Sequence, residues 1–346
     1  MKAVLIHRHG TLDQVRIDEV PTPRAGRGEV LVQTRAAALN HLDLFVLEGI
    51  PGIKQKMPHV LGSDAAGVVR QLGAGVEGLQ VGDRVMLNPG IWCTECEFCQ
   101  DGEQSLCVRY GLVGEHGPGV YSEYFAAPAR NLARIPDGVT FEEAAAFSLV
   151  NLTAWRMVCT RGRLRPGEDV FIHGIGGGVA TAALAIAKLS GARVWVSSSS
   201  QEKLHLARSL GADFCYDYTQ CDVAREVFRA TNRRGIDLVV EGPGASTWLQ
   251  SLKMARKGGR IVTCGATTGP NPATEIRLIF WKQIDILGST MGNRNEFAEI
   301  VRLLGRRRLL PCIDRVFDFE DAAAALERLQ SQRQFGKVVL RFRDPS

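Results

Sequence analysis

The chain is 346 residues long, 45% hydrophobic, 23% charged and 7% aromatic, with 37 glycines and a formal charge of +5. These are globular proportions, which exclude a disordered, collagen-like or coiled-coil chain, and the length exceeds what one hydrophobic core normally supports, so two domains are expected. The positive excess is spread thinly; its one run, Arg306-Arg307-Arg308, reads as a solvated helix end rather than a nucleic-acid footprint.

The N-terminal Met1-Lys2-Ala3-Val4-Leu5-Ile6-His7-Arg8 has four apolar residues before charge returns, too few for the apolar core of a signal sequence. No stretch approaches the ~18 uninterrupted apolar residues of a membrane span. A cytoplasmic protein without nucleic-acid or membrane partners is expected. Nine cysteines, four of them within fifteen residues, point in that setting to metal rather than disulfides.

Residues 1 to about 145 read as β-rich, with β-branched runs such as Glu29–Gln33 and Gly67–Val69 separated by glycine and proline. Thr140-Phe141-Glu142-Glu143 is a capping box that opens an Ala-rich helix. Strands then alternate with helices: a strand at Val170–His173, a helix at Val179–Leu189, a strand at Ala192–Val196 and a helix at Gln201–Leu210, then strands at Ile236–Val240 and Arg260–Cys264. This alternation predicts an α/β fold with a parallel sheet covered on both faces. From about Met291 there follow an amphipathic helix Glu296–Leu304, a second helix starting near Asp318, and a closing strand Lys337–Leu340. That tail is too short for its own core.

Between the first strand and its helix stands His173-Gly174-Ile175-Gly176-Gly177-Gly178-Val179-Ala180. Glycines permit a sharp turn and a close approach of backbone to a pyrophosphate, which then meets the free N–H groups of the following helix. Gly174, Gly176, Gly177, Gly178 and Val179 are therefore the expected cofactor-binding residues. The strict G-x-G-x-x-G spacing is absent; Gly174-x-x-Gly177-x-x-Ala180 stands in its place. At the end of the second strand, where NAD-preferring sites carry a carboxylate, the chain reads Val196-Ser197-Ser198-Ser199-Ser200-Gln201-Glu202-Lys203. An acid there would oppose a 2′-phosphate by about 4 kcal/mol at an effective dielectric of ~20. Without it, Ser198, Ser199 and Lys203 favour NADPH, with NADH as the alternative. The plainer reading makes Ser200 a helix cap and leaves Lys203 in solvent.

Cys93-x-x-Cys96-x-x-Cys99 and, after seven residues, Cys107 lie in a loop spanning about 90–111. Four thiolates at such spacing close a tetrahedron around Zn²⁺ and leave no open position, the mark of a structural site.

These residues, with Gly62-Ser63-Asp64-Ala65-Ala66-Gly67-Val68-Val69, Val81-Gly82-Asp83-Arg84-Val85 and Lys257-Gly258-Gly259-Arg260-Ile261-Val262, resemble the medium-chain dehydrogenase/reductase superfamily of zinc alcohol dehydrogenases and quinone reductases. The resemblance covers essentially the whole chain. It implies a GroES-like β-rich catalytic domain over 1–148 and 290–346, interrupted by a doubly wound Rossmann domain over 149–289. It also implies dimers or tetramers, built by an edge strand here matching Gln283–Gly288. By the same resemblance Thr153 touches the nicotinamide side, and Cys264, Gly265 and Ala266 line the cofactor.

The sequence departs from that pattern at the catalytic zinc. The three ligand positions, normally Cys, His and Cys, match Asn40, Ser63 and Leu149, which are poor or impossible Zn²⁺ ligands. This resembles the quinone and enone reductases, which work without metal. Reduction of a quinone, enone or enoyl thioester is then the expected chemistry, since hydride addition leaves an enolate that hydrogen bonds can support. Asn40 is expected to donate to the substrate oxygen or the nicotinamide ribose, and to serve both catalysis and cofactor binding. His41 is a possible proton source; Phe45, Trp92 and Tyr121 are possible pocket walls. Two alternatives stay open: an alcohol or aldehyde dehydrogenase whose zinc is held by His41, His59, Asp43 and Asp64, and a non-catalytic nucleotide-binding protein.

Overall fold

In the computed structural model, which describes residues 1–343, the chain divides into two compact units. One is Met1–Leu149 with the chain from Asn293 onward; the other is Val150–Gly292. No helix among the described residues is long and apolar enough to cross a membrane.

The first unit is mostly antiparallel. Its largest sheet runs in the order Leu132–Arg134, Arg84–Leu87, Asp64–Leu72, Glu29–Ala38, Lys337–Arg341 and Ile313–Asp318, with Tyr124–Pro128 also paired to Glu29–Ala38. Ala36, Ala37 and Ala38 are wholly buried, as expected where small side chains let neighbours pack on both faces of a strand. The tail's strand enters here: Val339 lies opposite Ala38 and Leu340 opposite Ala37, while Ala38 on its other side faces Asp64. Followed past Ala38, that register carries Lys337 towards Asn40. Leu44 and Leu47 of helix His41–Glu48 share one core with Leu326 and Leu329 of helix Ala322–Gln330. That shared core is how the tail is stabilised without one of its own.

The second unit holds six parallel strands: β1 (Asp169–Ile172), β2 (Arg193–Ser198), β3 (Phe214–Asp217), β4 (Ile236–Glu241), β5 (Ala255–Thr263) and β6 (Asp285–Gly288). Their order is β3-β2-β1-β4-β5-β6. Val194, Trp195 and Val196 of β2 and Leu238 and Val239 of β4 are all buried, the apolar continuity of strands covered on both faces. The strand order reverses beside β1, and the crevice at the carboxyl ends there is where such sheets hold dinucleotides. This is the expected α/β class, one unit β-rich and the other a doubly wound parallel sheet.

The structure corrects several boundaries. Strands β3 and Ile313–Asp318 are additional to those expected; both are only half-buried. Strand β5 begins at Ala255 rather than Arg260, extending through Arg256-Lys257-Gly258-Gly259. The helix expected near Asp318 starts at Ala322 after a short 3-10 turn. The capping box is formed as read: Thr140 N–H donates to Glu143 Oε2 at 2.9 Å, and Glu143 N–H to Thr140 Oγ1 at 3.1 Å.

Candidate active site

The turn after β1 is shaped by its glycines. Gly174 and Gly176 have φ of +62° and +126°, values that L side chains rarely adopt. The helix that follows, Gly178–Leu189, is capped by Gly177, which offers no side-chain hydrogen bond. Its first N–H groups are thus left for an anion. A Cβ on Gly177 would meet nothing within 4 Å, so space lies open on that side of the turn. Beneath it, buried His173 Nε2 lies 2.9 Å from Ser251 Oγ, and the Ser251 hydroxyl donates to Glu241 Oε2 at 2.5 Å. Burial pulls the His173 pKa down despite the Glu241 carboxylate.

Ser198 is buried at the end of β2 and Ser199 is exposed. Ser200 caps the next helix, its Oγ accepting from the Lys203 N–H at 3.3 Å, in line with the plainer reading. Lys203 does not, however, extend into solvent. It folds over the glycine turn, so that a Cβ at Gly176 would lie 2.8 Å from its Cδ and 3.2 Å from its Nζ. The structure thus brings Gly174–Val179 and Lys203 together. It also adds Asp217, paired in register with Ser198 and engaged by Gln201 and Thr219. The Thr219 hydroxyl and N–H hold its carboxyl below the usual range. Only the parallel pairing of β2 with β3, which no local pattern displays, brings this acid close to Ser198. The turn and the lysine suit a dinucleotide phosphate.

Elsewhere in this unit, Thr153 is buried and its hydroxyl donates to Met291 Sδ at 3.4 Å. Cys264 follows β5, and burial pushes its thiol up to about 12, so it is inert at neutral pH. Gly265 and Ala266 are exposed at the same strand end.

In the first unit, Cys93, Cys96, Cys99 and Cys107 bring their sulfurs within 4.8 Å of one another. The strands Gly90–Ile91 and Gly111–Leu112 pair at the base of their loop. Cys93 and Cys99 Sγ are 3.9 Å apart, far from a disulfide's ~2.05 Å and near the about 3.8 Å edge of a tetrahedron with Zn–S of ~2.3 Å. Backbone N–H groups of Cys93 and Arg109 donate to Cys107 Sγ, and that of Cys96 to Cys93 Sγ. N–H donors pull Cys93 down to about 6, while burial pushes Cys99 up to about 12. Four thiolates together therefore need a cation, and Zn²⁺ fits the donor set. Trp92 packs in this lobe's core rather than lining a substrate pocket.

The position matching the family's catalytic zinc is built differently. Asn40, 6% exposed, donates through Nδ2 to Asp64 Oδ2 at 3.0 Å and to the Ala38 carbonyl at 3.3 Å. Its Oδ1 accepts from Lys337 Nζ at 2.5 Å, and Lys337 also donates to Asp64 Oδ2 at 3.1 Å. Asp64 Oδ1 accepts the Leu149 N–H at 2.9 Å, and the Ser63 hydroxyl donates to the Val113 carbonyl at 2.7 Å. Asp43 Oδ2 accepts from the Asn40 N–H at 2.8 Å and the Tyr121 hydroxyl at 2.6 Å. Burial pushes Asp43 up to about 6 against those bonds and the Lys337 charge. Burial likewise lowers the Lys337 pKa, while Asp64 and Asp43 raise it.

Three expectations change here. Asn40 has both amide hydrogens committed within the protein, so donating to a substrate would break one of those bonds. Tyr121 holds Asp43 and is wholly buried, while Phe45 is partly exposed. His41, His59, Asp43 and Asp64 do not gather: His59 Nε2 lies 2.9 Å from the Gly114 carbonyl, Asp43 is tied to Tyr121 and Asp64 to Lys337. Among the described residues, the only convergence of three or more His, Cys, Asp or Glu ligand atoms is the cysteine group. His41 opens helix His41–Glu48 and is half-buried. Sequence reasoning misses Lys337 because it lies 297 residues from Asn40; its one sequence signal is a lone lysine opening an apolar Val-Val-Leu strand.

Family profiles described as "Alcohol dehydrogenase GroES-like domain" and "Zinc-binding dehydrogenase" match residues 26–137 and 178–306. A zinc-type alcohol dehydrogenase-like protein of Schizosaccharomyces pombe is 33% identical over 95% of each chain. An acryloyl-coenzyme A reductase of Metallosphaera sedula is 30% identical over 98% of this chain and 99% of its own. A crystal structure of an NAD-dependent alcohol dehydrogenase superposes with a TM-score of 0.95 at 43% identity, covering 99% of each chain. With its GroES-like unit, parallel doubly wound sheet and four-cysteine lobe, the chain belongs to the zinc alcohol dehydrogenase-like family of the medium-chain dehydrogenase/reductase superfamily, and it is an NAD(P)-dependent oxidoreductase.

Proposed function

We propose that the protein reduces an alkene conjugated to a carbonyl, an enoyl thioester or enone, with NADPH and without a catalytic metal. The observation that carries this reading is the donor set at the family's metal position. Asn40, Ser63 and Leu149 offer an amide, a hydroxyl and a hydrocarbon, and an ammonium, Lys337, already lies against Asn40 and against Asp64, the residue after Ser63. A dication would lack thiolate or imidazole ligands there and would be repelled by that charge. Polarising an isolated alcohol or ketone then lacks its usual Lewis acid. A conjugated alkene needs less, because hydride adds at the β-carbon and the charge spreads into an enolate. The name of the acryloyl-coenzyme A reductase relative agrees with that chemistry.

Bound NADPH would supply the hydride. Gly174–Gly178 and the first N–H groups of helix Gly178–Leu189 would hold its pyrophosphate, and Lys203 and Ser199 its 2′-phosphate. Thr153, Cys264, Gly265 and Ala266 would line the nicotinamide half. His41, half-buried at a helix start, is the proposed donor of the proton that completes reduction at the α-carbon.

A second reading is favoured by the 43% identical NAD-dependent alcohol dehydrogenase: oxidation of an alcohol with NAD⁺, the nearby Asp217 carboxylate disfavouring a 2′-phosphate. One panel separates the two. NADPH oxidation by a crotonyl thioester, at a kcat/KM about 100-fold above alcohol-driven NAD(P)⁺ reduction, supports the reductase. The reverse ranking supports the dehydrogenase.

A further inference from the structure

We propose that the Lys337 ammonium is the fixed cation of this active site, set against Asn40 at one of the positions that match the family's zinc ligands, and that it acts as a positioning residue for Asn40. The inference rests on the metal-free reading above and adds a residue to it.

The geometry over-determines one arrangement. An ammonium carries only donors, so the amide atom 2.5 Å from Lys337 Nζ must be the Asn40 oxygen. The Asn40 nitrogen must then face the opposite way, and there it meets two acceptors, Asp64 Oδ2 and the Ala38 carbonyl. A flip would set NH₂ against NH₃⁺ on one side and the amide oxygen against both acceptors on the other. Asp64 is fixed from both ends, by Lys337 on Oδ2 and by the Leu149 N–H on Oδ1. Leu149, at the third zinc-ligand position, thus takes part through its backbone.

Three segments deliver these groups. Asn40 and Asp43 follow strand Glu29–Ala38, Asp64 opens the strand on one side of it, and Lys337 opens the strand on the other. Tyr121 reaches the same cluster through Asp43 Oδ2. On the remaining side, the Cys312 carbonyl accepts the Lys337 N–H at 2.8 Å, and burial pushes the Cys312 thiol up to about 11, leaving it neutral. Two carboxyls and one ammonium thus share a volume from which Lys337, with a side chain 4% exposed, and Asp64, with one 0% exposed, are shut off from water. A buried ion pair is weak support for stability in itself, because desolvation offsets the attraction. Placed where the family holds a metal, the pair also fixes the Asn40 and Asp64 dipoles before substrate arrives, which lowers reorganisation during reaction.

The test compares Lys337→Met with the double variant Lys337→Met/Asp64→Asn in the full chain. Lys337→Met strands the Asp64 charge, so its thermal midpoint should fall on the order of 10 °C. The double variant should recover most of that fall. In the kinetic arm, with whichever substrate the panel above identifies, both variants should lose kcat on the order of 100-fold. KM for NADPH should stay within about twofold in both. Lys337→Met with an unchanged midpoint overturns the ion pair. A double variant that regains kcat along with its midpoint overturns the positioning role, since Lys337 would then be a counter-charge alone. The thermal arm needs no substrate, so it reads the ion pair even if the enoyl thioester is not turned over.

Discussion

Asn40, Asp43 and Lys203 are placed by hydrogen bonds and contacts that their residue types alone do not reveal. Asp43 Oδ2 accepts both the Asn40 N–H and the Tyr121 hydroxyl, and an asparagine side chain in its place could keep both acceptances through its amide oxygen. The folded pKa of Asp43, about 6, lies above the ordinary 3.8. A raised carboxyl gives stability that is present below pH ~4 and lost as pH rises through ~6. Denaturant midpoints of the wild type should therefore fall between pH 4 and 6 relative to Asp43→Asn, and superimposable pH curves would remove this assignment. Lys203 curls onto Gly176 rather than into water. Lys203→Ala should raise KM for NADPH about tenfold, one ion pair's share of about 1.4 kcal/mol, while KM for NADH changes little. Equal changes for both cofactors would place Lys203 away from the 2′-phosphate.

At the scale of elements, the cysteine loop and the turn at Gly62 depend on single atoms. Zinc binding and folding are coupled in a loop with so small a core. Chelation, or Cys99→Ser, should open residues 93–107 to protease while the parallel sheet keeps its circular dichroism; a lobe that stays resistant without metal would contradict this. Gly62 has φ +102°, and a Cβ there would fall 2.2 Å from the Tyr121 ring. Gly62→Ala should therefore destabilise the first unit by about 3 kcal/mol, measured by urea unfolding. Elements differ in how openly the sequence displays them. The glycine turn, the capping box and the cysteine spacing are local, and local chemistry can be read along a chain. Strand β3, Phe-Cys-Tyr-Asp, and Ile313–Asp318 mix polar and apolar residues because each is half-covered. The Asn40–Asp64–Lys337 cluster is invisible for another reason: it exists only once strand register brings three distant segments side by side.

For the whole molecule, the two units rest on different charge arrangements. The amino end of the parallel sheet gathers Asp169 and Asp237 with Arg193, Arg234 and Arg256. Burial opposes the charge on Asp237, yet the arginine hydrogen bonds hold its carboxyl at about 2. A depressed carboxyl gives stability present above pH ~4 and lost as pH falls towards 2. Asp237→Asn should flatten that acid limb of the unfolding curve, and an unchanged limb would assign acid sensitivity elsewhere. On the proposed reading, metal in this protein serves architecture, while the positions matching the family's catalytic zinc ligands carry Asn40, Ser63 and Leu149, with Asp64 and Lys337 bonded to Asn40. Elemental analysis of the purified chain, with anomalous scattering to locate each ion, tests it most directly. One zinc per chain, on Cys93, Cys96, Cys99 and Cys107, is the predicted result. A second zinc held by Asp64 or His41, with the Lys337 ammonium displaced, would contradict it.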